Sequence, residues 1–296
     1  MAEFMNTREV ADYLRLKERK IYDLVRQKRI PCTRISGKWL FPKTQIDRWL
    51  ESSGAGQDTV PAVGSDRPPP VVAGSHDPLL EWCVAESGCG LALMTGGSRD
   101  GLEKLAAGRA VASGVHILDA GTGAYNVAAV QEALAGLDVV VIEWAEREQG
   151  LVVAPGNPLG IRDLADAAAR DLRLARRQPG SGARILMDLL LERSGASPAP
   201  DGGLPPLRSE LDVGLAVLDG RADAGLAIRA VARQLRLDFL PVHRERYDLV
   251  MRRRDFFEPP MQRLLEFARS PAVREKAADL QGYDLEGLGR VRWNAP

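Results

Sequence analysis

The sequence predicts an α/β domain with a largely parallel sheet, preceded by a small basic helical module that carries a hairpin. Three observations lead there. From Val71 onward, short apolar runs alternate with amphipathic helical stretches, the rhythm of strand–helix–strand units. Residues 1–52 hold twelve Lys/Arg against seven acids, about +5, although the whole chain balances 40 Lys+Arg against 40 Asp+Glu. Between these regions runs ESSGAGQDTVPAVGSDRPPP, rich in Gly, Ser, Pro and Asp with no apolar period, which is linker composition. The expected division is therefore 1–52, a linker over 53–70, and a larger domain over 71–296.

At 296 residues the chain exceeds one average domain, which agrees with two. Its hydrophobic share of 45% is that of an ordinary globular chain, so disorder is not the default. Cys32, Cys83 and Cys89 are odd in number and lack the spacing of a zinc site with the histidines His76, His116 and His243. No apolar run of ~18 residues occurs, and MAEFMNTREV has no signal-peptide apolar region. The expected location is the cytoplasm, without a membrane partner.

In the N-terminal module, Asn6 followed by Glu9 has the form of a capping box. Val10, Ala11 and Leu14 give the helix after it an apolar stripe, and Arg15 and Leu16 make a turn. Ile21, Leu24 and Val25 recur at helical spacing in a second helix. That leaves Lys17, Arg19, Lys20, Tyr22 and Arg26 on its other faces. IPCTRISGKWLFP then reads as a hairpin around Ser36-Gly37, with Arg34 and Lys38 at its tip. KTQIDRWLES supplies a third helix with Ile46, Trp49 and Leu50 on one face. A helix of this size fits a DNA major groove, Lys and Arg contact phosphates, and a basic hairpin tip reaches the neighbouring backbone.

This stretch, MNTREVADYLRLKERKIYDLVRQKRIPCTRISGKWLFPKTQIDRWLES, closely resembles the excisionase-like, MerR-related winged helix-turn-helix domain. The resemblance spans the whole module and implies operator DNA as a partner. Lys28-Arg29 stand where that family commonly has a Gly before the Ile-Pro pair.

In the larger domain, small and hydroxyl residues gather at three strand-to-helix junctions: Gly74-Ser75-His76-Asp77, Thr95-Gly96-Gly97-Ser98, and Gln178-Pro179-Gly180-Ser181-Gly182-Ala183-Arg184. A helix N-terminus offers free N–H groups and positive potential, Gly lets the backbone approach, and Ser adds a donor. Each junction alone is an ordinary N-cap; three in one domain point to an anion pocket. GSGAR is not a nucleotide-phosphate loop, because no Lys-Ser/Thr follows the glycines. GTGAYN has no ribose-binding acid at the proper distance. Tyr247, after the strand LDFLPV, has a phenolic donor that suits a ligand or a packing role equally.

AGSHDPLLEWC, GGSRDGLEKLAAGRAVASGVHILD, REQGLVVAPGNPLGIRDL, RRQPGSGARILMDLLL and DVGLAVLDGRADAGLAIRAVARQLRLDFLPVHRERYDLVM occur in that order. Together they resemble the periplasmic-binding-protein-like domain of cytoplasmic bacterial regulators, related to the molybdate- and tungstate-binding proteins. The resemblance implies a type II fold of two lobes, the first over about 71–142 and 245–296, the second over about 150–240. It also implies a cleft in which Ser75 and Ser98 face Ser181, Gly182 and the backbone of Ala227 and Ile228, with Tyr247 near the return between lobes. Arg184 and Arg99 are placed to add charge, and His76 and Tyr125-Asn126 are further candidates.

The expected protein is thus a homodimeric one-component regulator whose effector is molybdate or tungstate, with no cofactor and no catalysis. Two alternatives stay open: the same architecture sensing an organic anion or cofactor precursor, and an enzyme on a binding-protein fold. No His/Asp/Glu/Cys constellation with metal or triad spacing is visible in the sequence to support the latter.

Overall fold

The computed structural model describes residues 4–14, 16–26, 30–35, 38–47, 67–196 and 204–296. The chain divides into two units, Met1–Asp66 and Arg67–Pro296. In the first, β1 (Phe4–Met5) and α1 (Thr7–Tyr13) precede α2 (Glu18–Arg26), β2 (Thr33–Ile35) and β3 (Lys38–Pro42), and residues 43–47 are helical (α3). Asn6 caps α1 as its sequence predicts: its Oδ1 accepts from the amides of Arg8 (2.9 Å) and Glu9 (3.0 Å), and Glu9 accepts from the Asn6 amide (2.8 Å).

The core of this unit is Met5, Val10, Ala11, Ile21, Leu24, Ile30, Phe41 and Ile46, the apolar positions of both helices and the hairpin. One strand was not foreseen. β1 pairs with β3, Phe4 opposite Pro42 and Met5 opposite Phe41, and two residues are too few to show a period. Arg15, Ser36-Gly37, Trp49, Leu50 and the side chains of Arg34 and Lys38 lie outside the described residues.

The second unit begins with β4 (Val71–Gly74), α4 (Pro78–Glu86), β5 (Ala92–Thr95), α5 (Ser98–Ala106), β6 (Ala112–Val115) and α6 (Val127–Ala133). β7 (Val139–Val153) then crosses into a second lobe of α7 (Leu164–Ala169), β8 (Leu174–Ala175), α8 (Gly182–Arg193), α9 (Glu210–Leu218), β9 (Ala224–Ile228) and α10 (Arg229–Leu235). β10 (Asp238–Arg252) crosses back, and α11 (Arg253–Phe256), α12 (Pro259–Ala268), α13 (Pro271–Leu280), β11 (Tyr283–Asp284) and β12 (Val291–Asn294) complete the chain.

One curled sheet runs through both lobes in the order β5-β4-β6-β10-β7-β9-β8, with β11 and β12 also on β7. Its strands are parallel within each lobe, β4 beside β5 and β6, and β8 beside β9. They are antiparallel wherever β7 or β10 takes part. The expectation of a largely parallel sheet is corrected to a mixed one, because a chain that crosses between lobes and returns must do so on opposed strands. β7 and β10 are each 15 residues long. Near the crossing β7 buries Ala145, Arg147 and Gln149 while Glu146 and Glu148 are less covered, the period of two of a strand with one inward face.

Each lobe has its own apolar layers. Leu79, Leu80, Ile142, Trp144, Tyr247, Leu249 and Leu264 pack on one side of the first; Leu151, Leu164, Leu186, Met187 and Leu226 pack in the second. Full burial of such a side chain contributes about 1.5–3 kcal/mol, enough to hold the strand-to-helix junctions between the lobes in place. Among the described residues no helix is long and apolar enough to cross a membrane.

Candidate ligand site between the lobes

Two helix N-termini meet where the lobes face each other. Ser98 opens α5 in the first lobe, and Ser181 is the N-cap of α8 in the second. Across the gap, Gln178 Nε2 donates to the Gly96 carbonyl (3.1 Å) and the Arg99 amide to the Gly180 carbonyl (3.4 Å). Glycine is required at the contact. A methyl group on Gly182 would stand 2.4 Å from the His116 carbonyl oxygen and 2.6 Å from its Nδ1, so any side chain there holds the lobes apart. Gly74, at φ +104°, brings β4 within 2.2 Å of the Gly114 carbonyl measured from the position a Cβ would take, and Ser75 follows it with its amide on that same carbonyl (2.8 Å).

The side chains gathered here are polar and covered: Ser75 is 6% exposed, Ser98 0%, Ser181 1% and His116 2%. Ser75 Oγ lies 3.0 Å from Ser98 Oγ and 3.0 Å from His116 Nε2. The His116 amide donates to Ser98 Oγ (3.2 Å), and His116 Nδ1 lies 2.7 Å from Glu245 Oε2. Glu245 Oε1 is in turn bonded by Arg147 and by Gln149 Nε2. A second Arg147 nitrogen, Nη1, donates to Asp77 Oδ2 at 2.9 Å. Asp77, the N-cap of α4, also accepts from the Leu80 amide, Trp144 Nε1 and the Tyr283 hydroxyl. A chain of hydrogen bonds therefore runs from the serines through His116 into the strands that join the lobes.

Burial alone would raise the Glu245 carboxyl, but Arg147 and His116 outweigh it and hold it well below the usual carboxylate range. Burial also pulls on Arg147, and Glu245 and Asp77 more than restore its charge. Arg177, buried beside Gln178, bonds to the carbonyls of Leu207 and Arg208; burial lowers it, with Glu210 opposing.

The structure brings Ser75, Ser98, Ser181 and Gly182 to one place, and puts the other expected contributors to other uses. The Tyr247 hydroxyl donates to the Ser75 carbonyl (2.5 Å) and its ring lies 4.4 Å beneath Arg147. Burial, then Asp77, hold that phenol well above its ordinary range, so Tyr247 supports the Ser75 loop as a permanent donor. Ala227 lies within β9 opposite Gly150, and the Ile228 amide donates to Glu210 Oε2 (2.8 Å). Arg184 turns along its own helix to Asp188 (2.8 Å), and Arg99 is exposed. His76 bonds Glu81; Tyr125 bonds His243; Asn126 bonds the Ile117 amide and Asp248. In the first unit, Lys17 before α2 and Arg19, Lys20, Tyr22 and Arg26 on it are exposed.

Sequence reasoning passed over His116, Arg147, Gln149, Glu210 and Glu245. The available signal was the alternation in VVVIEWAEREQGLVV, which puts Arg147 and Gln149 on the same strand face as Ala145. No group of His, Cys, Asp and Glu suited to a metal ion occurs among the described residues.

Two lobes on one sheet, joined by paired long strands with polar groups gathered between helix N-termini, define a binding-protein-type domain. The chain belongs to the PBP superfamily, whose domain model matches residues 83–269, and a helix-turn-helix domain model matches residues 4–54. It is 27% identical over 299 residues to YvgK, an uncharacterized protein of Bacillus subtilis (strain 168), covering 96% of each chain. The periplasmic binding protein BugD shares the fold with a TM-score of 0.52 at 12% identity, over 75% of this chain and 89% of that one. The sulfate-binding protein SubI of Mycobacterium tuberculosis H37Rv does so with a TM-score of 0.50 at 14% identity, over 72% and 85%. A helix-turn-helix domain combined with a binding-protein-like domain fits a ligand-sensing DNA-binding regulator.

Proposed function

We propose that this protein is a homodimeric one-component transcriptional regulator, not an enzyme, that senses a tetrahedral oxyanion of the molybdate or tungstate class between its lobes. The observation that carries the reading is the meeting of Ser98 and Ser181, at helix N-termini of opposite lobes, with Ser75 bonded to Ser98 from the loop before α4. Neutral hydroxyl and amide donors stabilise an anion without requiring a fixed cation. DNA binding is assigned to α2, whose exposed Arg19, Lys20, Tyr22 and Arg26 suit a groove-and-phosphate contact.

The effector acts by its differential affinity for closed and open lobes. Turning such a switch fully from 1:99 to 99:1 takes about 5.5 kcal/mol of that difference. A hydroxyl-bearing organic anion is the second reading, favoured by Gln149 Oε1, a buried acceptor with no hydrogen-bond partner among the described residues.

Titration calorimetry with molybdate, tungstate, sulfate, phosphate and a small hydroxycarboxylate tests the ligand. Molybdate or tungstate is expected to bind tightest, and indifference to all four inorganic anions at millimolar concentration would defeat the oxyanion reading. Sedimentation of the full chain with a DNA duplex tests the assembly, and a monomer throughout would defeat the dimer.

A further inference from the structure

We propose that Arg177 is the fixed cation of the interlobe site. Its guanidinium gives the anion a full positive charge and free N–H donors, so the site takes a doubly charged tetrahedral oxyanion in preference to a singly charged one of the same shape. The inference rests on the oxyanion reading above and adds a charge to the neutral donors on which that reading stands.

Arg177 stands directly before the loop that opens α8, and it is 5% exposed. Its Nε donates to Gln178 Oε1 (3.2 Å), and Gln178 Nε2 donates in turn to the Gly96 carbonyl of the first lobe (3.1 Å). The guanidinium is thus two hydrogen bonds away from the turn that carries Ser98. Its remaining bonds go to main-chain carbonyls, from Nε to Leu207 (3.2 Å) and from Nη2 to Arg208 (2.8 Å). A guanidinium has five N–H donors. Nη1 bonds none of the described residues, which leaves donors for a ligand.

Arg177 differs from the other arginine buried in this region. Arg147 is 1% exposed and holds Asp77 and Glu245 at ion-pair distance. Among the described residues no carboxylate stands at that distance from Arg177, whose bonds all go to uncharged oxygens. Glu210 and Asp212 act on it from the first turn of α9, but their oxygens are committed elsewhere. Glu210 takes Gln149 Nε2 (3.1 Å) and the Ile228 amide (2.8 Å), and Asp212 takes the Ser209 amide (2.9 Å). Burial outweighs both carboxylates and pulls the guanidinium below its ordinary range. A buried lysine can shed its proton; an arginine keeps its charge. A buried charge is costly until it is compensated, and a dianion between α5 and α8 compensates this one. Taking one negative charge off the anion at constant shape halves its Coulombic attraction to Arg177, which is the source of the discrimination.

The test is titration calorimetry of the full chain with molybdate and with perrhenate, a tetrahedral monoanion of similar size. It is run on the wild type, Arg177→Gln and Arg177→Lys, with the melting temperature of each measured without anion. The wild type should bind molybdate at least about tenfold tighter than perrhenate, and Arg177→Gln should lose about 10- to 100-fold in molybdate affinity. The two anions then bind Arg177→Gln almost equally, and Arg177→Lys regains part of the preference. If Arg177 only held the Leu207 and Arg208 carbonyls, Arg177→Gln would melt earlier and keep the wild-type ratio of molybdate to perrhenate affinity. That result, or a wild type that binds the two anions equally, overturns this inference alone; the wild-type ratio decides the matter if neither variant folds. Failure of molybdate, tungstate and sulfate to bind the wild type overturns the oxyanion reading and this inference with it.

Discussion

Arg147 and Glu245 are partners in the β7–β10 ladder, and their side chains close a buried ion pair where both strands pass from one lobe to the other. Each is 1% exposed, and the same guanidinium holds Asp77, itself 2% exposed. One cation is therefore shared by two carboxylates that belong to different elements of the fold.

Arg147→Met is expected to leave both carboxylates buried without their cation and to lower stability by about 3–5 kcal/mol. Urea unfolding near neutral pH measures this. A loss below about 1 kcal/mol would mean that the carboxylates find other partners or simply protonate.

Gly182→Ala is expected to separate the two properties of the second unit. The added methyl meets the His116 carbonyl and ring across the interlobe contact, so closure suffers while each lobe keeps its core. Anion affinity should fall by tenfold or more, which is at least ~1.4 kcal/mol, with little change in melting temperature. Equal affinity in variant and wild type would show that this contact plays no part in binding.

Two buried carboxyls, Asp248 and Glu245, pull the pH dependence of stability in opposite directions. Burial pushes the Asp248 carboxyl up to about 6, with Arg246 and Asn126 only partly opposing. Between the unfolded carboxylate range near pH 4 and that value, the native state binds more protons than the unfolded chain. Stability then falls as pH rises, by on the order of 3 kcal/mol at most. Glu245, held low, acts in reverse: the stability it gives is present above about pH 4 and is lost as pH falls. Asp248→Asn should flatten the decline between about pH 4 and 6 while leaving the acid limb in place, as read from urea midpoints; identical profiles for variant and wild type would remove Asp248 from the account.

For the DNA contact, Arg19→Ala and Lys20→Ala, both at exposed positions of α2, should weaken binding to a duplex. Each should also reduce the slope of log affinity against log salt by about 1 where the lost contact is to phosphate. Fluorescence anisotropy over a salt series measures both, and unaltered affinity in the double variant would move the interface off α2.

The N-terminal unit was legible because its determinants are local: Asn6 and Glu9 are three residues apart, and the spacing of Val10, Ile21 and Leu24 suffices to face them inward. The serines of the larger unit were legible for the same reason, since a Gly/Ser junction before an amphipathic helix is read within a few residues. The polar chain behind them was not. His116 and Glu245 are 129 residues apart, Arg147 and Glu245 98, and Arg147 and Asp77 70. Only strand pairing brings these groups together, and nothing within EWAEREQG or HRERYD alone names the distant partners. Tyr247 was legible as a donor but not as to what it holds, because its acceptor is a carbonyl 172 residues away.

β7 and β10 run unbroken through both lobes, and their pairing slips between Pro241 and His243 and between Tyr247 and Asp248. Opening the lobes is then not the swing of two plates about a loose joint but the flexing of one double-leaved ribbon, softest where its rungs are out of step. Whatever clamps α5 against α8 works against the stiffness of that ribbon. The slip beside Tyr247 lies two residues along β10 from Glu245, the partner of His116, so the bending moment and the chemistry of the cleft share a fulcrum.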